Sequence, residues 1–194
     1  MRERIMMGAV EEIREKGMKF TMSALARRVG VSKRSLYEHF ESKEALVYSI
    51  IEAILEDANK KRLAVIADEQ LTYQEKLKKV LTTQSTLFSP LDDKKCIEIK
   101  RFFCTRSIKK LDEIFEKQYL IVTDFLELGV KTREIRWVYL PVFEKMIRGT
   151  MNEIVDYQFL AENNVSVDKA RDYMIDILIY GLIPHESNNI EINN

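Results

Sequence analysis

Proline and glycine are scarce in this chain, 3 and 6 among 194 residues. That scarcity excludes the turn-dense β architectures and leaves room for long helices. Cysteine is nearly absent. Cys96 and Cys104 lie eight residues apart with no CxxC or Cys/His spacing around them, which excludes a disulfide framework and a zinc site. They are expected to be buried thiols, a redox role being the other reading. Histidine is limited to His39 and His185, too few to supply a His-based triad or a metal site, and no glycine-rich phosphate loop occurs. No cofactor is expected, and a helical enzyme is the last of three functional readings. No apolar run reaches membrane-spanning length, and the first residues lack a signal-peptide core. A cytoplasmic protein with no membrane partner is therefore expected.

What remains is a chain with 46% apolar and 32% charged residues, enough of the former for a buried core. Its formal net charge is zero, which at first argues against a nucleic-acid partner. The charge is not evenly spread. Residues 1–47 hold 10 Lys/Arg against 7 Asp/Glu, and the remainder holds 21 against 24. A mildly basic head on a mildly acidic body suits a protein that touches DNA at one end.

Residues 21–47, TMSALARRVGVSKRSLYEHFESKEALV, carry the strongest signal. Leu25, Ala26, Val29, Val31, Leu36 and Phe40 fall where two short helices press together over a tight corner. Gly30 stands at that corner, where a positive φ is needed. Thr21, Ser32 and Ser42 are placed to cap successive helices, and Glu44 suits the positive end of the last of them. The helix over residues 33–40 leaves Lys33, Arg34, Ser35, Tyr37 and His39 outward, a mixture suited to phosphates and base edges. Arg34 is the candidate for a bidentate guanine contact. His39 is as well explained by helix packing as by a phosphate contact.

The run Gly30-Val31-Ser32, Leu36-Tyr37, His39-Phe40 and Ser42-Lys43-Glu44-Ala45-Leu46 resembles the N-terminal signature of the TetR family of bacterial transcriptional regulators. The resemblance implies phosphate contacts from Thr21, Tyr37 and Lys43. It implies an all-α fold of about nine helices, three of them in a helix-turn-helix head over residues 1–47. The body, residues 48–184, would bind an effector and dimerise. Residues 185–194 would form a disordered tail. Many relatives carry a small residue where this chain has Arg34, so the operator cannot be borrowed from them.

Along the rest of the chain, apolar groups at Ile5, Met6, Ala9, Val10 and Ile13 form a helical stripe that Gly17 ends. No Pro or Gly interrupts residues 31–89, so one helix is expected to run from Ser42 to near Lys61, joining head to body. Thr72-x-x-Glu75 reads as a capping box, and Ser89-Pro90 as a break. Residues 92–129 look helical, parted near 105–107, with Leu111, Ile114, Phe115, Leu120, Phe125 and Leu128 as apolar anchors. Pro141 is expected to start a helix running to about Leu160 and ended by Asn163-Asn164, and a final helix spans about 167–182.

The resemblance also implies an effector pocket between the middle helices. Its candidate lining comprises Phe88, Phe102, Phe103, Tyr119 and Phe125, together with Trp137, Tyr139, Phe143, Met146 and Met151. Such a lining favours a small apolar or aromatic molecule, although each residue is as readily explained by the core. The last two helices would form a homodimer through Val142, Ile154, Tyr173, Ile177, Leu178 and Tyr180. A repressor that binds a double-stranded operator as a dimer and is released by a small-molecule effector is the leading expectation. The alternative is a similar DNA binder controlled by a protein partner, or one with an architectural role.

Overall fold

A computed structural model describes residues 1–87, 98–99, 101–103, 108–154 and 156–182. These residues are all-α, with no strand among them. The helices are α1 (Arg2–Lys16), α2 (Met22–Arg28), α3 (Lys33–His39), α4 (Lys43–Ala67), α5 (Tyr73–Thr82), α6 (Ile108–Lys131), α7 (Leu140–Ile154), α8 (Tyr157–Glu162) and α9 (Val167–Leu182). A 3-10 turn, Gly17–Lys19, joins α1 to α2, and residues 98–99 and 101–103 are helical. The break at Ser89-Pro90, the parting near 105–107, Cys96, Cys104 and the tail lie outside the described residues.

Local chemistry sets most of the boundaries. Thr21 Oγ1 accepts from Ala24 N–H at 3.1 Å, Ser32 Oγ from Ser35 N–H at 3.0 Å and Ser42 Oγ from Ala45 N–H at 3.0 Å. Each side chain satisfies an amide that the first helical turn cannot. Helix α2 ends in a Schellman turn: Gly30, at φ +66°, donates to Arg27 O, and Val31 donates to Ala26 O. Thr72 and Glu75 form the reciprocal capping box that opens α5.

Helix α4 has 25 residues, so it spans about 37 Å at 1.5 Å per residue. It extends past Lys61 to Ala67. Its lower part is wired to α5: Arg62 donates to Val80 O at 3.1 Å and Thr83 O at 3.2 Å, taking carbonyls at the C-terminal end of α5.

Three differences from the sequence expectations have local causes. The helix expected to start at Pro141 and run to about Leu160 spans Leu140–Ile154, and Asp156 caps the separate helix α8 by accepting from Phe159 N–H at 2.9 Å. Leu120 and Leu128 are exposed, not core anchors. The buried stripe of α6 runs through Ile114, Val122, Phe125 and Leu126, and Leu128 lies about 200° around the helix from Leu126 at 3.6 residues per turn. Helix α6 also continues through Gly129 to Lys131, where Arg133, at φ +62°, closes the turn.

The cores do not respect a boundary at residue 47. The head core of Ile5, Ile13, Leu25, Leu36, Phe40 and Leu46 continues into Tyr48, Ile50, Phe103 and Ile114. A second core of Leu77, Val80, Val122, Phe125, Leu126, Ile135, Phe143 and Ile147 fills the body.

Candidate nucleic-acid interface

Helix α3 is anchored at one position. Leu36 is 0% exposed and sits in the head core, and no other residue of α3 is buried. A seven-residue helix held by a single inward leucine presents the rest of its surface to solvent. The Arg34 side chain is 90% exposed and Tyr37 is 49% exposed. Lys33 is exposed, while Ser35 and His39 are half-buried. Thr21 is exposed at the start of α2, its Oγ1 used as a cap acceptor and its hydroxyl proton left to donate.

Lys43 is placed differently from the expectation of a phosphate contact. Its ammonium donates to Phe20 O at 2.9 Å and to Met18 O, and lies 4.4 Å from the centre of the Phe20 ring and 5.4 Å from that of Phe102. The carbonyls leaving the 3-10 turn lack helical partners, and a cation at a helical C-terminus is favourable there. Lys43 therefore ties the start of α4 to the turn between α1 and α2.

Several residues around this surface were not picked out from the sequence. Arg2 donates to His39 O at 2.9 Å and Ser49 Oγ at 2.8 Å, and stacks 4.2 Å over Phe40. Arg4 donates to Val29 O at 2.9 Å. These two arginines of α1 hold the C-terminal ends of α3 and α2. They act across dozens of residues, so no local pattern announces them. Glu38 Oε1 accepts from Arg34 Nε at 3.2 Å; the i,i+4 spacing of opposite charges was the signal for that pair.

Arg28 locks α2 against α1 by donating to Glu12 at 2.5 Å, Glu11 at 3.3 Å and Glu15. Glu12 is 1% exposed and also accepts from Lys16 at 2.6 Å. Burial works against its charge, but the hydrogen bonds from Lys16 and Arg28 hold its carboxyl below the ordinary value of 4.5. Glu12 and Glu15 in turn raise the Arg28 guanidinium. The angle between α1 and the helix-turn-helix pair is thus fastened by charge as well as by apolar packing.

Residues 5–50 match the family described as bacterial regulatory proteins, tetR family. Over 186 residues, 96% of this chain and 97% of the relative, it is 25% identical to an uncharacterised HTH-type transcriptional regulator, YvaF, of Bacillus subtilis. Over 54 residues, 28% of this chain and 27% of the relative, it is 46% identical to the nucleoid occlusion factor SlmA of Shewanella frigidimarina. The structure of the transcriptional regulator FadR from Bacillus subtilis in complex with stearoyl-CoA shares the fold. It has a TM-score of 0.69 and 21% identity, over 92% of this chain and 97% of that one.

The head of this chain belongs to the TetR family. The chain is a transcriptional regulator with a helix-turn-helix head and a helical body.

In the body behind this TetR-family head, the residues expected to line a pocket divide three ways. Tyr119 and Phe143 line a narrow cleft between α6 and α7, with room for about one water, together with Val122, Thr123, Leu126, Leu140, Glu144 and Ile147. Burial raises the Tyr119 phenol above its ordinary value. Phe125 stacks on Tyr73 at 4.7 Å in the body core, and Phe102 and Phe103 pack towards the head, Phe103 lying 4.6 Å from Tyr48. Trp137, Tyr139 and Met146 are exposed at 60%, 60% and 54%, so they form surface and not pocket. Phe88 and the side chain of Met151 lie outside the described residues.

The residues expected at a dimer interface also divide. Val142, Tyr173, Ile177 and Tyr180 are exposed on α7 and α9, beside Trp137, Tyr139 and Met146. Ile154 instead turns inward onto Leu160, Val167 and Ala170, and Leu178 packs against the body core. On α9 the outer stripe runs through 173, 177 and 180; Leu178, one residue and about 100° from Ile177, falls on the inner side.

Proposed function

We propose that two copies of this chain pair through the exposed faces of α7 and α9, bind a palindromic operator and repress transcription until a small apolar or aromatic ligand enters the body. The DNA part rests on one observation, the single inward anchor of α3 that leaves Lys33, Arg34 and Tyr37 outside. Thr21 at the start of α2 and Ser35 and His39 beside the exposed face supply further contacts to phosphate or base edges. A twofold pair is supported by the large apolar side chains that α7 and α9 leave exposed, Val142, Met146, Tyr173, Ile177 and Tyr180, which a monomer would leave wet. Such a pair sets two copies of α3 one DNA turn (~34–36 Å) apart.

The ligand part is supported by the mainly apolar lining between α6 and α7, where Thr123 and Glu144 are the polar exceptions; the cleft there holds about one water, so the two helices must part to admit a ligand. A protein of this fold has been solved with stearoyl-CoA, so a long-chain acyl-CoA is the first molecule to try. The ligand acts only if it favours the conformation that does not fit DNA. A route for that preference runs from Glu98 and Phe103 into the head: Glu98 accepts from Met18 N–H at 3.3 Å, and Phe103 packs on Tyr48.

The test combines sedimentation of the full chain with selection from a pool of randomised duplexes. A dimer that selects a twofold-symmetric sequence, and releases it on addition of stearoyl-CoA or of aromatic compounds from a thermal-shift screen, is the expected result. A monomer, or binding with no sequence preference, would refute the operator reading. A second reading, DNA binding governed by a protein partner or serving an architectural role, is favoured by the 46% identity of the head to a nucleoid occlusion factor. Sequence-selective binding that no small molecule relieves would support it.

A further inference from the structure

We infer that Glu38 determines the specificity of this regulator by holding Arg34 for guanine and by penalising every register in which Arg34 fails to engage one. The inference rests on the proposed contact of α3 with DNA.

The pair is geometrically simple. Arg34 Nε donates to Glu38 Oε1 at 3.2 Å, one helical turn away, and the two side chains are 90% and 60% exposed. In water such a pair does little for stability. Its effect appears when a duplex covers it. An acceptor on Nε leaves Nη1 and Nη2 as a fork, the shape that meets guanine O6 and N7. Once a duplex excludes water from the pair, the bond to Glu38 restricts Arg34 to rotamers that keep this fork outward.

Charge supplies the second half. Glu38 is the acidic residue of α3, beside the cations Lys33 and Arg34. A carboxylate brought against DNA is repelled by phosphates unless a cation stays on it. At a guanine, Arg34 reaches the base and keeps Glu38 paired. At any other base pair Arg34 swings to a phosphate, and Glu38 is left alone in a negative field. Glu38 therefore weakens non-specific binding more than specific binding.

The test uses the full chain with Glu38→Gln, Arg34→Ala and the double variant, each selected against a randomised duplex pool. The affinity of each for the selected duplex, for its single-base substitutions and for the unselected pool is then measured. The parent should select guanine at one position of each half-site, and Arg34→Ala should lose that preference. Glu38→Gln should weaken the same preference about 3- to 10-fold and bind the unselected pool roughly 3- to 10-fold more tightly. In the Arg34→Ala background, Glu38→Gln should alter no base preference further. Unchanged preference and pool affinity in Glu38→Gln would overturn the inference. So would a preference lost at a base pair other than that of Arg34, which would make Glu38 itself a reader of cytosine. A parent that selects no sequence at all fails the DNA-binding reading first, before any variant is compared.

Discussion

Replacing Gly17 with alanine is expected to destabilise the protein by about 2–4 kcal/mol, for two separable reasons. Gly17 has φ +60° and ψ −155°, a region essentially restricted to glycine, where other residues cost about 1–3 kcal/mol. A methyl there would also overlap the Glu98 carboxylate, which accepts from Met18 N–H at 3.3 Å. Glu98 can swing away, but the hydrogen bond that joins the body to the α1–α2 turn is then lost, a further ~1 kcal/mol. For a chain of this size each kcal/mol lowers the midpoint by about 2–4 °C, so a loss of roughly 4–16 °C is expected in thermal unfolding at neutral pH. Gly30→Ala isolates the backbone part, since Gly30 is at φ +66° with nothing within 4 Å of an added Cβ; it should cost about 1–2 kcal/mol. Gly17→Ala introduced into Glu98→Ala should cost about 1 kcal/mol less than in the parent. A Gly17→Ala protein within about 0.5 kcal/mol of the parent, the range of an ordinary surface change, would refute the reasoning. An unchanged cost in the Glu98→Ala background would remove Glu98 from it.

Three further outcomes follow from particular contacts. Lys43→Met should lower stability by about 1–3 kcal/mol in urea unfolding, through its bonds to Met18 O and Phe20 O, and should leave the salt dependence of DNA binding unchanged. A slope reduced by about one unit with full stability would instead make Lys43 a phosphate contact. Asp57 is held down to about 2, against an ordinary 3.8, by hydrogen bonds from the Ser85 hydroxyl and Lys61 and by the Thr86 amide. Because the folded value is depressed, this stabilisation is present above about pH 3.8 and fades as pH falls towards 2. Asp57→Asn should therefore be less stable than the parent at pH 7, and thermal midpoints should converge across that acid window. Ile177 is 73% exposed, so Ile177→Glu should leave the protomer folded, sediment as a monomer where the parent is dimeric, and bind the selected duplex more weakly. A dimeric Ile177→Glu protein would exclude this face as the interface.

Interactions that span a turn or less could be read from the chain. Thr21, Ser32, Ser42 and the Thr72–Glu75 pair cap the helices they were expected to cap, because a cap needs only a side-chain oxygen within three residues of an amide. Gly30 stands at its corner for the same reason, since a positive φ is a property of one residue and its neighbours. The outward set of α3 was legible because Leu36 and Phe40 already occupy the inner side. What required the folded chain is what each helix meets. The sequence places Lys43 beside a recognition helix, but only the approach of the α1–α2 turn gives its ammonium two carbonyls. Trp137, Tyr139 and Met146 are large and mainly apolar like Phe143, and periodicity alone does not say which of them faces a cleft and which faces solvent. Asp156 has the side chain of a cap, yet a helix that could run on to Leu160 is interrupted there. Local bonding determined where this protein is helical; the choice of partner for each helix face belongs to the tertiary structure, because it depends on residues far away in the chain.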